Sequence, residues 1–308
     1  MPDFWTPALL PRSRDHTMTQ AISQNTHARL ADATRLGAVE LQVTDLDRSI
    51  DFYTRIVGMS LHERDGAGAA LGAGGETIVA LRQDPGARAP RREAGLYHFA
   101  LLFSSREELA RVARRVAETR TRIDGASDHR THEAIYLPDP DGIGVELAAD
   151  RPRELWPSLD DGTFYGHGPQ PLDVRALFAT IEQEGPTPSA EQSLRVGHIH
   201  LHVGELDSAT RFYRDGLGFA VMAQMPHAVF VSAGGYHHHV AYNLWRGERV
   251  PPYSPDTIGL RHWTLETTGE GEREAVRRRL RAIGAEIEER PDGSLLARDP
   301  AAIAVLVR

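Results

Sequence analysis

Cysteine is absent from the 308 residues, which removes disulfide staples, zinc ribbons, iron–sulfur clusters and thiol nucleophiles together. There is no excess of positive charge either. Lys and Arg number 35 against 43 Asp and Glu, a net charge of −8, so neither a nucleic acid nor an anionic membrane is an expected partner. No apolar run approaches the roughly 18–20 residues of a membrane helix, and no secretory h-region is visible. These absences leave the expectation of a globular protein of the cytoplasm. What is present supports it: 41% of residues are hydrophobic, enough for a sizeable core. The abundant reactive side chain is histidine, with 15 copies.

At about 150 residues per domain, the length suggests two domains or one large repeated unit. An internal repeat decides for two. The segment Gly37-Ala38-Val39-Glu40-Leu41-Gln42-Val43, with Phe52-Tyr53 and Gly58 after it, returns as Gly197-His198-Ile199-His200-Leu201-His202-Val203, with Phe212-Tyr213 and Gly218, at a constant offset of 160. Asp139-Pro140 and Asp299-Pro300 keep that offset, and Tyr97-His98 meets Arg261-His262 at 164. The expected domains are therefore 36–150 and 194–308, joined by a Pro-rich linker over 151–193. Residues 1–35 lack periodicity and read as a mobile extension, with Met18 an alternative start to Met1.

Within each copy the periods alternate. Val39, Leu41 and Val43 against Ala38, Glu40 and Gln42 give the period of two expected of a strand. Ile50, Tyr53 and Val57 follow helical spacing, and Gly58 supplies a stop. The rhythm restarts at residue 98, with a helix expected near Arg106–Glu118 and strands near Ala134–Leu137 and Val145–Leu147. Each half is thus two strand–helix–strands modules, four in all. In the opening strand of module three, Ile199, Leu201 and Val203 form one face and His198, His200 and His202 the other. A strand buried on both sides would be apolar on both. The histidine face is expected to line a cavity.

The stretches 198–206 and 211–219 resemble the opening of a vicinal oxygen chelate module, as does 36–58. Gly-Leu-Tyr-His-Phe (95–99), Ile-Tyr-Leu-Pro-Asp-Pro-Asp-Gly-Ile-Gly-Val-Glu (135–146) and the Tyr-His-His-His run from Tyr236 are similar to bacterial extradiol catechol-2,3-dioxygenases. The resemblance implies an α+β fold of four βαβββ modules curled pairwise into two barrels. It also implies iron(II), with Mn(II) as the alternative, held by two His and one carboxylate so that positions stay open for a small aromatic diol and O₂. A homo-oligomer is compatible with it.

The family's ligand positions fall on Ala38, His98, His198 and His262 in the first strands, and on Glu146 and Leu306 in the last strands of modules two and four. Pairing neighbours in sequence leaves both barrels incomplete. Crosswise pairing, one with four and two with three, gives a full set of His98, Glu146 and His198 and leaves the other barrel without one. A lone strand-opening His is ordinarily a hydrogen-bonded core residue; three ligand types on three ligand positions favour the metal.

For the catalytic groups the resemblance implies His238, within His237-His238-His239, as the residue that handles protons. Strand alternation would turn His237 and His239 to the opposite face. Tyr136, ten residues before Glu146, matches a substrate-contacting tyrosine, and His129, ahead of His132, a loop histidine. His200 is expected in the pocket. Two rivals share the fold: a glyoxalase-type lyase or isomerase, which uses a fourth, acidic ligand, and a metal-free protein that binds an aromatic drug.

Overall fold

A computed structural model describes residues 29–158, 168–185 and 194–308. Module one comprises β1 (Arg35–Val43), helix α1 (Leu46–Asp51), and strands β2 (Ser60–Asp65), β3 (Gly68–Ala73) and β4 (Glu76–Gln83). Module two repeats the plan with β5 (Gly95–Phe103), α2 (Arg106–Glu118), β6 (Gly125–Asp128), β7 (His132–Pro138) and β8 (Gly144–Asp150). A short β9 (Gln170–Pro171) and α3 (Val174–Ala179) follow. Module three holds β10 (Arg195–His202), α4 (Leu206–Thr210), β11 (Ala220–Met225), β12 (Ala228–Ser232) and β13 (Val240–Asn243). Module four holds β14 (Gly259–Glu266), α5 (Glu270–Ala282), β15 (Glu286–Glu289), β16 (Leu295–Arg298) and β17 (Ala304–Val307).

The helices begin and end where the side chains dictate. Asp45 caps α1 by accepting from the Arg48 N–H, and Ser105 caps α2 by accepting from that of Glu108. In both copies the first helix widens into a π-helical segment, Phe52–Val57 and Arg211–Leu217, and stops at a left-handed glycine, Gly58 (φ 94°) and Gly218 (φ 104°). Only glycine takes that backbone without strain. On α2, Leu109, Val112 and Val116 repeat at helical spacing and are fully buried, each contributing about 1.5–3 kcal/mol by leaving water.

The modules pair crosswise. Strand β1 runs antiparallel to β14, giving one sheet in the order β15-β16-β17-β14-β1-β4-β3-β2. Strand β5 runs antiparallel to β10, giving the other, β11-β12-β13-β10-β5-β8-β7-β6-β9. Sequence neighbours dock instead through helices and turns. Arg115 of α2 donates to the Val57 carbonyl at 2.7 Å, and Arg279 of α5 to that of Leu217 at 2.6 Å. Tyr53 donates to Asp139 (3.3 Å) and Tyr213 to Asp299 (2.8 Å). Burial pushes these two carboxyls up, to about 7 and about 6.

Two boundaries read from the sequence need correction. The inner end of the expected extension is packed: Leu30 is buried, its N–H and that of Arg29 reach the Gly218 carbonyl, and Ala31 donates to Glu272. Residues 1–28, Met1 and Met18 among them, lie outside the described residues. The expected linker is also partly structured, because β9 pairs with β6 and Leu172, Leu177 and Ile181 are buried.

Candidate metal centre

The second sheet turns Phe99, Leu101, Ile199 and Leu201 into the core. By alternation its other face carries His98 and Ala100 on β5, His198, His200 and His202 on β10, Glu146, Ala148 and Asp150 on β8, and His132, Ala134 and Tyr136 on β7. Ala100 sits beside both His198 and Glu146 in the strand register. Its single methyl leaves the room in which the two larger side chains meet. His98 Nε2 and His198 Nε2 each lie 3.0 Å from Glu146 Oε2, and all three residues are buried. Ligand atoms of the three residues, within 4.8 Å of one another, could hold one ion between them.

The electrostatics fit a cation. Burial acts to raise the Glu146 carboxyl, but His198, His132 and His98 converge on it and hold it well below the usual carboxylate range. Burial outweighs the pull of Glu146 on His198 and lowers that imidazole, leaving it neutral. An ionised carboxylate beside a neutral His198 imidazole is the protonation state that metal ligation requires. Two buried atoms here lack a hydrogen bond of good geometry, Glu146 Oε1 and His98 Nδ1.

Around this centre stand the other expected residues. Tyr136 pairs with Glu146 across β7 and β8, and its hydroxyl is 2.7 Å from His129 Nε2. Burial, with the Glu146 charge, keeps the phenol well above its ordinary value; burial pushes His129 down to about 3. His200 Nε2 is 2.8 Å from Asn243 Nδ2. Asn243 Oδ1 accepts from the Trp245 N–H and faces His202 Nδ1, so its amide nitrogen donates to His200. The His238 ring lies 4.2 Å from that of His198, and burial holds it neutral.

The Glyoxalase/Bleomycin resistance protein/Dioxygenase superfamily model matches residues 35–147 and 195–295. The chain belongs to that superfamily. It is 37% identical to the catechol-2,3-dioxygenase of Bacillus subtilis over 272 residues, 87% of this chain and 94% of that one. A lactoylglutathione lyase of Arabidopsis thaliana is 27% identical, covering 63% of this chain and 58% of its own. Glyoxalase I from Zea mays shares the fold with a TM-score of 0.56 at 20% identity, covering 89% of this chain and 92% of that one. Among the described residues no helix is long and apolar enough to cross a membrane.

One expectation from alternation fails. The segment 237–239 is a turn ahead of β13, so period two does not apply to it. His237 is buried, stacked on His132 at 4.5 Å, with its Nδ1 2.8 Å from His238 Nδ1. Only His239 turns away, to Ser232. His132, which opens β7, also faces the centre, its Nε2 3.2 Å from Glu146 Oε1. Sequence reasoning passed over Asp150, whose position opposite His132 follows from the hairpin that places Tyr136 opposite Glu146.

The other sheet is built differently at the matching positions. Leu306 pairs with Thr264 as Glu146 pairs with Ala100, and Ala38 stands where His198 does. Glu40 there binds Arg261 at 2.8 Å, with His262 3.9 Å away. A guanidinium balances the carboxylate on this side.

Proposed function

We propose that the protein is an iron(II)-dependent extradiol dioxygenase of the cytoplasm that opens catechol-type rings beside their vicinal hydroxyls, with Mn(II) the alternative metal. The observation that carries this reading is the convergence of His98, Glu146 and His198 in one buried group, the donor set of non-haem Fe(II) oxygenases. Similarity to the Bacillus subtilis catechol-2,3-dioxygenase over most of both chains supports it. A four-ligand glyoxalase centre needs a further acid. The position on β13 that matches Glu146 by register is Ala241, a methyl. A metal-free binding protein has no need of a buried His98, Glu146 and His198 set.

His98, Glu146 and His198 would hold the ion, which would supply Lewis acidity toward the diol and O₂. The remaining residues bind and move protons. One hydrogen is shared between His238 Nδ1 and His237 Nδ1. With it on His238, the Nε2 lone pair takes a proton from the diol, and the same nitrogen returns it as the ring opens. Tyr136, kept protonated, donates its O–H to a substrate oxygen or to His129. His200, whose Nε2 is occupied by Asn243, carries its own hydrogen on Nδ1. Tyr97 and Trp245 pack on His200 at 5.2 and 5.0 Å, an aromatic wall for a planar ring.

The test is anaerobic loading with Fe(II), then catechol and air. The expected result is a yellow ring-opened product with one O₂ consumed per catechol. Iron retention without oxygen uptake would exclude the reading.

A further inference from the structure

Among the described residues a second group of potential ligands lies beside the first: His132, Asp150 and His237, with one ligand atom of each within 4.8 Å of the others. His132 and Asp150 face each other across β7 and β8; His237 arrives from the turn before β13 and stacks on His132 with the planes 14° apart. His237 Nε2 is 3.4 Å from Asp150 Oδ1.

Both imidazoles are held at the far nitrogen, and the carboxylate is held by a hydroxyl that reaches both of its oxygens. His132 Nδ1 is 2.9 Å from Thr131 Oγ1, and His237 Nδ1 is 2.8 Å from His238 Nδ1. The Tyr236 hydroxyl donates to the Asp150 carboxylate at 3.0 and 3.1 Å. Ligand histidines are ordinarily fixed this way, the second nitrogen bonded so that the first is aimed. Glu146 Oε1 adds an independent pointer. It is fully buried, has no hydrogen bond of good geometry, and lies 3.2 Å from His132 Nε2. Its partner oxygen, Oε2, serves the first triad.

We infer that His132, Asp150 and His237 form a second cation site, adjacent to the first and sharing the Glu146 carboxylate, that takes a divalent first-row transition ion. Two imidazoles and carboxylate oxygen select that class over calcium or magnesium, which prefer oxygen alone. Asp150 is partly open, its side chain 23% exposed against 1% for Glu146. This ion therefore exchanges with solvent more readily than the buried one. Its occupancy fixes the shared hydrogen on His237 Nδ1, so His238 presents an N–H from Nε2 rather than a lone pair. The second ion thereby opposes the base role given to His238 above; the site itself does not depend on that role.

Anaerobic equilibrium dialysis against Mn(II) alone tests this. Wild type is expected to saturate at two equivalents, and His237→Phe and Asp150→Asn at one each. Asp150→Asn keeps an oxygen for the Tyr236 hydroxyl and serves if His237→Phe does not fold. His98→Ala should also keep one equivalent, now lost on adding Asp150→Asn. Wild type saturating at one equivalent that vanishes in His98→Ala overturns the second site and leaves the first standing. One equivalent that survives His98→Ala and vanishes in Asp150→Asn upholds the second site and overturns the first. Two equivalents retained in both His237→Phe and Asp150→Asn overturn the second site.

Discussion

Glu146→Ala is expected to abolish iron retention when the protein is loaded with one equivalent of Fe(II) and passed through a desalting column. The carboxylate is the only anion among the first three ligands, and both imidazoles lie against one of its oxygens. Losing a residue that merely orients a ligand costs about 10–100-fold in affinity; losing the anionic ligand should cost at least ~100-fold. Stability should respond as well. Without metal, the variant should be less stable than wild type, because a carboxylate that three imidazoles hold below its ordinary range stabilises the fold, and its loss strips those imidazoles of their partner. With metal in excess, wild type should gain a higher melting temperature by mass action and the variant should not. His262→Ala serves as the control: it lies on the other sheet beside Glu40 and Arg261, and iron content should not change. Loss of iron in His262→Ala with retention in Glu146→Ala would reverse the assignment.

His238→Phe should retain iron and bind catechol, yet turn over about 10²–10⁴-fold more slowly, or about 3–5 kcal/mol at 1.36 kcal/mol per decade. The ring packs between Phe230 and His198, so phenylalanine keeps the shape and removes only the proton-carrying nitrogens. Stopped-flow rates alongside iron analysis check this. His239→Phe is the matched control, because that ring faces Ser232 and Phe219, and its rate should stay within a few-fold of wild type. Iron loss in His238→Phe would make it a ligand, and an equal drop in both variants would indicate a packing effect.

The module count and crosswise pairing were legible because the repeat keeps its offset over long stretches and because only one pairing completes a ligand set. Strand alternation puts His198 and His200 on the face opposite Ile199 and Leu201, as observed, since β10 is regular from His198 to His200. It failed at His237, where the chain turns before β13 begins. Period two constrains side-chain direction only while the ladder lasts. The packed segments at 29–34 and 168–181 were obscured for another reason. They are too short to display a period, and their order comes from docking: Leu30 lies buried near Gly218, and Arg111 of α2 pairs with Glu184 at 2.6 Å. Asp150 was missed because it reads as a strand end followed by Arg151 and Pro152; only the cross-strand register with His132 gives it a role.

The most direct test of the account is the position of iron itself, read by anomalous diffraction at the iron edge from crystals grown anaerobically with one equivalent of Fe(II). The account predicts one strong peak bounded by His98 Nε2, His198 Nε2 and Glu146 Oε2, in the sheet that joins modules two and three. A peak beside Glu40 and His262, or none near Glu146 in iron-replete crystals, would contradict it.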